Sequence, residues 1–208
     1  MLKELTERYP LLKSSEAQIE KAIEIIKECY EKGGKVLLCG NGGSSADCEH
    51  ISGELMKGFL KKRPLSAEKK AEMKERCPLI SDETLELLQC GLPAISLPSL
   101  TAVSTAYGND VSAKLIYAQT VFALSKKEDV LFAISTSGNS ENVVEAAKVA
   151  KGLGIKVISL SGKNGGKLKE LSDVCICADE TETYKIQELH LPIYHYICKA
   201  VEEWFFEG

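Results

Sequence analysis

The sequence lacks the features that mark several large classes of protein. No apolar run approaches the roughly 20 residues that a membrane-spanning helix needs, and the N-terminal residues contain no apolar stretch of the kind that secretory signals carry. Basic residues are not in excess, because 26 Lys and Arg stand against 30 Asp and Glu and give a net charge of −4. That balance argues against nucleic acid or an anionic membrane as a partner, and we expect a cytoplasmic protein.

Cysteine spacing excludes a further class. The chain has eight cysteines but no Cys-x-x-Cys pair, so the spacing typical of structural zinc sites is absent. Most of these cysteines stand among apolar residues, where the side chain packs as a small hydrophobic group, and we expect reduced thiols in the core. Hydrophobic residues make up 44% of the 208 residues, which predicts one folded domain spanning 1–208.

Strand and helix signals alternate along the chain. Short apolar runs predict buried strands at 35–40, 92–97, 130–135, 155–162 and 173–178. Apolar residues at helical spacing predict helices between and around them, including an N-terminal helix at about 15–32 and a C-terminal helix at about 184–206. This alternation predicts an α/β fold of three layers, in which helices cover both faces of a parallel sheet.

Residues 61–91 interrupt this alternation. They contain no strand signal, and two stretches within them each open on a Ser or Asp that suits a helix N-cap. We interpret 61–91 as a helical insertion between the first and second strands. Its many Lys and Glu residues indicate a solvated helix face rather than a binding patch.

A glycine-rich loop follows the first predicted strand. In Gly40-Asn41-Gly42-Gly43-Ser44-Ser45 the glycines permit backbone amides to approach a ligand closely, and the helix that begins here attracts anions. The loop is not a dinucleotide fingerprint, because Ser45 stands where the third glycine belongs, and no Gly-Lys-Ser/Thr follows to make a P-loop. A plain strand-to-helix turn is the alternative.

A second polar loop follows the strand at 130–135. Ser135-Thr136-Ser137-Gly138-Asn139-Ser140 places five polar side chains in six positions at a helix N-terminus, which predicts a phosphate cradle. Simple N-capping is the alternative, but a cap needs only one such residue. A serine nucleophile elbow is excluded, because Gly-x-Ser-x-Gly does not occur.

The chain has only three histidines, and one of them has a carboxylate at helical spacing. His50 and Glu54 share one face of the helix after the first loop, where they suit metal binding or proton transfer. A solvent-facing pair is the alternative at this position.

The other two histidines, His190 and His195, lie on the C-terminal helix. We interpret His190 as a packing residue. Gln187 is about 80° from His195 around an ideal helix, and a kink at Pro192 would bring the two side chains together. Upstream, Gly108-Asn109-Asp110 reads first as a turn, and it also puts a carboxylate near the strand edge where ligands bind.

Together these motifs resemble those of the sugar isomerase (SIS) superfamily and, more narrowly, of the phosphoheptose isomerases. The matching segments are CGNGGSSADCEH at 39–50 with Glu54, GND at 108–110, ISTSGNS at 134–140, SLSGKNGG at 159–166, and IQELH at 186–190 followed by His195. The resemblance covers almost the whole chain apart from 61–91. It implies a five-stranded parallel sheet and a homotetramer with active sites built between subunits.

By this resemblance the chain would convert sedoheptulose 7-phosphate to D-glycero-D-manno-heptose 7-phosphate through an enediol, with Glu54 and His195 as the acid/base pair. One zinc ion per subunit would be bound by His50, Glu54, Gln187 and His195. The phosphosugar would be contacted by Asn41, Gly42, Gly43, Asn109, Asp110, Ser135, Thr136, Ser137, Ser140 and Gln187.

One departure from the family pattern leaves more than one phosphosugar as a candidate substrate. Family members commonly carry an arginine one turn after the position of Glu54, where this chain has Gly58 in the run Lys57-Gly58-Phe59. Lys57 and Lys61 are the candidates to replace it, although lysine is not an equivalent bidentate clamp. An isomerase for another phosphosugar therefore stays possible, as does a non-catalytic SIS module that binds a phosphosugar or a replication initiator. The presence of both Glu54 and His195 favours an enzyme.

Overall fold

The computed structural model describes residues 2–206. Five strands form one parallel sheet in the order β2-β1-β3-β4-β5. The strands are β1 (Val36–Cys39), β2 (Ala94–Ser96), β3 (Val130–Ser135), β4 (Lys156–Ser161) and β5 (Val174–Cys177). The predicted α/β fold with a five-stranded parallel sheet is therefore confirmed.

Helices connect and flank these strands. They are α1 (Leu2–Arg8), α2 (Glu16–Glu31), α3 (Gly43–Met56), α4 (Ala67–Arg76), α5 (Asp82–Leu87), α6 (Thr101–Tyr107), α7 (Ile116–Leu124), α8 (Glu141–Gly152), α9 (Leu168–Leu171) and α10 (Thr183–Phe205). The helices predicted at 15–32 and 184–206 match α2 and α10 to within one residue at each end. Within residues 2–206 no helix combines the length and apolarity needed to cross a bilayer.

The side chains of each strand alternate between two cores, one on each face of the sheet. Val36 and Leu38 of β1 face the core that α2, α3 and α10 cover, whereas Leu37 and Cys39 face the core that α7 and α8 cover. All four are fully buried, as expected for a parallel sheet with helices on both sides. The three-layer architecture follows from this double burial.

The strand order places a topological switch point between β1 and β3. The connection from β1 runs outward to β2, and the chain then returns to β3 on the other side of β1. The two crossovers lie on opposite faces of the sheet, which opens a crevice at the carboxyl ends of these two strands. Cys39 pairs with Ala133 in the register of the sheet, so the glycine-rich loop and the serine-rich loop leave the sheet side by side at this crevice.

Residues 61–91 form the two predicted surface helices, α4 and α5. Ser66 and Ser81 occupy their N-caps, and their hydroxyls accept hydrogen bonds from the backbone N–H groups of Lys69 and Thr84. Helix α4 buries none of its residues, which agrees with the predicted solvated face, and α5 buries only Leu85. That this segment is an insertion stays a prediction.

The expectation for the cysteines is only partly confirmed. Cys29, Cys39, Cys48 and Cys198 are buried and free. It is wrong for Cys77, which is exposed because it follows the solvated helix α4. Cys90, Cys175 and Cys177 are half-buried.

Candidate active site

Helices α3 and α10 bring His50, Glu54 and His195 together. The Nε2 atom of His50 lies 3.3 Å from Glu54 Oε1 and 3.4 Å from His195 Nε2. The rings of His50 and His195 meet edge to face with centroids 4.9 Å apart. Glu54 is only 14% exposed at its side chain, while His50 is 41% exposed. Two imidazoles and a carboxylate thus converge at a position that solvent and ligands reach from one side.

Tyr194 and Asp47 form a second layer behind His50. The Tyr194 hydroxyl lies 3.0 Å from His50 Nδ1. Burial raises the pKa of Asp47 to about 6, although the nearby Tyr194 hydroxyl and His50 act in the opposite direction. When Nδ1 of His50 donates to the Tyr194 oxygen, Nε2 of His50 carries a free lone pair. The sequence analysis missed both residues, although Asp47 lies at i−3 from His50 on the same helix face.

His190 packs in the core as predicted. It has no solvent exposure, and its Nε2 lies 3.3 Å from the carbonyl oxygen of Ser161. Burial lowers the pKa of His190 to about 4, so the ring stays neutral at physiological pH. Its Nδ1 lies 4.0 Å from Asp47 Oδ2, and neither atom has a hydrogen-bond partner within residues 2–206.

Gln187 reaches the glycine-rich loop. A Cβ atom at Gly43 would collide with the Gln187 amide nitrogen and lie 2.9 Å from its Cδ, so glycine is what admits the side chain here. Helix α10 continues through Pro192 to Phe205, and no hydrogen bond joins Gln187 to His195 within the described residues. The predicted meeting of these two side chains at a kink is not observed.

The glycine-rich loop is fixed by its neighbours. Gly42 precedes α3 with a φ of +55°, a conformation that favours glycine. Asn41 exchanges two amide hydrogen bonds with Asn142 of α8, at 2.8 and 2.9 Å. The Tyr117 hydroxyl donates to the Gly40 carbonyl at 2.7 Å. The loop after β1 is therefore tied to the helix after β3, which holds the two predicted ligand loops together.

The serine-rich loop connects β3 to the N-terminus of α8. Ser140 occupies the N-cap position but its side chain makes no capping bond. Its hydroxyl instead lies 2.9 Å from that of Ser135. Ser137 is exposed, and its hydroxyl accepts from the Asn139 backbone N–H at 3.1 Å. Because α8 is not capped by Ser140, the N-capping alternative fails for this residue and the helix N-terminus is left for an anion.

Three further predicted site residues make few contacts with the rest of the site: Thr136, Asn109 and Asp110. Thr136 is half-buried within the serine-rich loop, and its carbonyl accepts from the Gly162 N–H at 2.9 Å. Asn109 and Asp110 lie in an irregular helical turn, Gly108–Ser112, after α6. Both are exposed, and Asn109 donates to Asp110 at 2.8 Å. Within the described residues neither side chain forms a hydrogen bond to any other predicted site residue.

The family arginine is absent at Gly58, but another arginine, Arg63, lies a few residues further along the chain. Lys57 Nζ lies 3.0 Å from Glu54 Oε2, whereas Lys61 donates to the carbonyl of Phe206 at 2.6 Å and so points away. Arg63 is fully buried instead and donates to the carbonyls of Leu55 at 2.7 Å and Glu54 at 3.3 Å. Arg63 thus holds the end of α3, the helix that carries Glu54, and the sequence analysis missed it.

Among residues 2–206 no three His, Cys, Asp or Glu side chains form a cluster already arranged around a metal position. Two pairs of donor atoms nevertheless have suitable spacing. Two ligands of a tetrahedral zinc ion, each bound at about 2.0–2.1 Å, lie about 3.3–3.4 Å apart. The His50–Glu54 and His50–His195 pairs have these separations, at 3.3 and 3.4 Å.

This arrangement has known counterparts. The sequence profile of the SIS domain matches residues 3–89 and 84–162, and the chain therefore belongs to the SIS domain family. Its sequence relatives include phosphoheptose isomerases. Those of Campylobacter jejuni (serotype O:6, strain 81116) and Helicobacter pylori (strain P12) are 39% and 38% identical to it. The alignments cover 98% and 93% of this chain and 97% and 88% of the two relatives.

A solved structure agrees with the sequence relatives. The phosphoheptose isomerase of Francisella tularensis superposes with a TM-score of 0.77 at 31% identity, covering 94% of this chain and 91% of that one. The chain is thus of the phosphoheptose isomerase type over nearly its whole length.

Proposed function

We propose that the protein is an aldose–ketose isomerase that converts sedoheptulose 7-phosphate to D-glycero-D-manno-heptose 7-phosphate. The observation that carries this proposal is the convergence of His50, Glu54 and His195, with 3.3 and 3.4 Å between the paired donor atoms. This convergence occurs in a chain whose relatives are phosphoheptose isomerases. A binding module has no need of such a group beside its sugar site.

The reaction moves a proton between C1 and C2 of the sugar through an enediol, which requires a base at carbon and an acid at oxygen. Glu54 is the base, because its largely buried carboxylate faces the cleft between α3 and α10. His195 exchanges the proton at oxygen. Burial, with the nearby His50, lowers the pKa of His195, while Glu54 opposes that shift, so the ring is readily neutral.

The phosphate lies in the serine-rich loop, at the N-terminus of α8. Ser135, Thr136, Ser137 and Ser140 supply hydroxyls and backbone amides without a lysine. On the other side of the crevice Asn41, Gly42, Gly43 and Gln187 contact the sugar, and Asn109 and Asp110 complete the contacts. These groups position the substrate and take no part in the proton transfer.

One zinc ion per subunit is part of this proposal, with His50, Glu54, Gln187 and His195 as its ligands. The spacings of His50 to Glu54 and to His195 support it, whereas Gln187 lies against the glycine-rich loop and would have to turn toward them. Imidazole nitrogens and carboxylate oxygens are the donors that catalytic zinc sites use. Zinc held by these residues would act as a Lewis acid and stabilise the negative charge that develops on the substrate. Glu54 has one oxygen toward His50 and the other toward Lys57, so its two oxygens face different partners.

The protein acts as a homotetramer in this proposal, with active sites between subunits. Apolar side chains are exposed on the elements that carry the site: Met56 of α3 at 56%, Leu60 after it at 62%, and Leu191 of α10 at 41%. A contiguous patch of such side chains would mark a contact surface. Light scattering coupled to size-exclusion chromatography measures the assembly directly.

The decisive experiment incubates the purified protein with sedoheptulose 7-phosphate and follows formation of the aldose phosphate, with and without added zinc. Turnover that rises with zinc and falls with a chelator is expected. Absence of turnover under both conditions would overturn the proposal in favour of the non-catalytic module. Turnover of a different ketose phosphate in its place would retain the isomerase class and replace the substrate.

A further inference from the structure

Cys175 and Cys177 form a thiol pair at the edge of the sheet. Both lie on β5, two residues apart, and their sulfur atoms are 3.6 Å from one another. Both are half-buried rather than enclosed in the core. The Cys-x-Cys spacing is not that of a structural zinc site, so no ligand or core-packing role accounts for two adjacent sulfurs here.

The surroundings favour a thiolate at Cys175. The Cys177 thiol donates a hydrogen bond to it and lowers its pKa to about 7, with burial opposing and with Ser159 and Lys169 assisting. The same contact, with burial, raises the pKa of Cys177, which therefore keeps its proton. A thiolate beside a protonated thiol is the arrangement that peroxide-sensitive cysteines have.

The turn that contains Gly165 packs on Cys175 and also contacts the serine-rich loop. A Cβ atom at Gly165 would lie 3.2 Å from Cys175 Sγ, so this turn rests on the sulfur. The carbonyl of Gly138 accepts from the Leu168 N–H at 3.1 Å, and the Asn139 side chain accepts from the Lys167 N–H at 3.1 Å. Movement at Cys175 thus reaches the phosphate cradle through one intervening turn.

We propose that Cys175 and Cys177 are an oxidation site, and that closing them into a disulfide displaces the Gly165 turn and weakens phosphate binding in the adjacent loop. The part of this inference that concerns phosphate rests on the proposed function, whereas the thiol chemistry does not. The oxidant is a hydroperoxide.

The chemistry proceeds in two steps. The Cys175 thiolate attacks one peroxide oxygen, the O–O bond breaks, and the products are a sulfenic acid and hydroxide, which takes up a proton. The Cys177 sulfur then attacks the sulfenic sulfur and displaces its hydroxyl group as water while losing its own proton. Overall the two thiols lose two electrons and two protons, and hydrogen peroxide is reduced to two molecules of water.

The geometry makes the disulfide strained. Residues i and i+2 of a strand have Cα atoms about 6.6 Å apart, near the upper end of the range of about 4.4–6.8 Å for disulfides. Bond formation must therefore bend β5. Within residues 2–206 this strand pairs only with β4, because it lies at the edge of the sheet, so bending breaks few backbone hydrogen bonds. A strained disulfide of this kind is readily reduced again.

The experiment treats the zinc-loaded protein with stoichiometric hydrogen peroxide and maps its tryptic peptides. Cleavage after Lys169 and Lys185 releases residues 170–185, which contain both thiols and no other cysteine. We expect this peptide to lose the mass of two hydrogen atoms and to regain it with dithiothreitol. In Cys177→Ser we expect a sulfenic acid at Cys175 that dimedone traps, and in Cys175→Ser we expect neither product.

The functional readout is the affinity for inorganic phosphate, measured as competitive inhibition or by calorimetry. We expect oxidation to weaken phosphate binding severalfold in the wild type and to leave Cys175→Ser unchanged. Oxidation of exposed Cys77 while peptide 170–185 keeps both thiols would overturn the proposal, as would a disulfide that leaves phosphate affinity unchanged. If the protein fails to isomerise sedoheptulose 7-phosphate, the peptide masses still decide the thiol chemistry.

Discussion

The guanidinium of Arg63 and the carboxylate of Glu202 form an ion pair with no solvent exposure on either side, and Nη2 lies 2.9 Å from Oε1. Glu202 also accepts from the backbone N–H groups of Phe59 at 2.8 Å and of Leu60 at 2.7 Å. Arg63 donates in turn to the carbonyl of Leu55 at the end of α3. The pair therefore joins α10 to the segment that follows α3.

Breaking this ion pair is expected to remove a large part of the protein's free energy of unfolding. Arg63→Met or Glu202→Gln should lower the free energy of unfolding by about 3–5 kcal/mol, because each leaves the other charge buried without its opposite charge. Urea unfolding measures the change. Lys148→Met, which removes an exposed ion pair with Glu145, should cost less than about 1 kcal/mol. Equal effects of the buried and exposed changes would contradict this account.

The same pair predicts an acid-dependent loss of stability. Burial opposes ionisation of Glu202, but the N–H groups of Leu60 and Phe59, together with Arg63, hold its pKa below the ordinary value of 4.5. A lowered folded-state pKa contributes stability that is complete above the unfolded-state pKa and is lost as pH falls through the folded-state pKa. We therefore expect wild-type stability to decline below about pH 4.5, and Glu202→Gln to lack that component of the decline.

Removing either member of the proposed acid/base pair, Glu54 or His195, should greatly slow isomerisation while the fold remains. Glu54→Gln and His195→Ala should each lower kcat by about 100- to 10,000-fold, the usual contribution of a positioned acid or base. The thermal unfolding temperature and the assembly state should stay close to wild type, because both side chains are partly exposed. Glu188→Gln makes the same chemical change at an exposed position of α10 and serves as the control. Full activity of either active-site variant would contradict the assigned roles.

Local signals were enough to predict the sheet, its flanking helices and much of the site. The strands are short continuous apolar runs, and burial on both faces of a parallel sheet requires that pattern. His50 and Glu54 were also predictable, because a separation of four residues places both on one helix face. The strand order then brings the two polar loops to the same crevice.

The missed residues depend on contacts that are distant in sequence. Arg63 and Glu202 are 139 residues apart, and nothing near either one indicates its partner. Tyr194 contacts His50 across 144 residues. Asn142 was missed for the same reason, because its partner Asn41 lies 101 residues away. Periodicity identifies which face of a helix is buried, whereas these pairs depend on which helices pack together.

Tyr194 should control zinc affinity through His50. Tyr194→Phe removes the hydroxyl 3.0 Å from His50 Nδ1 and retains the buried ring. Loss of a hydrogen bond to a metal-binding histidine costs about 10- to 100-fold in metal affinity. Competition with a chromogenic chelator measures it. Tyr196→Phe, on the same helix but with a more exposed ring, should retain wild-type affinity, and an unchanged affinity in Tyr194→Phe would remove Tyr194 from the site.

Three glycine-to-alanine changes should have three different outcomes, because the space at each glycine differs. Gly53→Ala in α3 meets no atom within 4 Å, so it should stabilise the protein by about 0.5–1 kcal/mol and leave kcat/KM unchanged. Gly43→Ala displaces only the end of the Gln187 side chain. It should lower kcat/KM with little effect on urea unfolding.

Gly138→Ala should damage both stability and phosphate binding. Gly138 has a φ of +64°, and a Cβ there would collide with the carbonyl oxygen of Gly165, a backbone atom that cannot rotate away. We expect a loss of at least about 1 kcal/mol in the free energy of unfolding together with a raised KM, because the serine-rich loop must shift. Urea unfolding and steady-state kinetics on the three variants separate these outcomes. Wild-type KM in Gly138→Ala would show that the loop does not hold the phosphate.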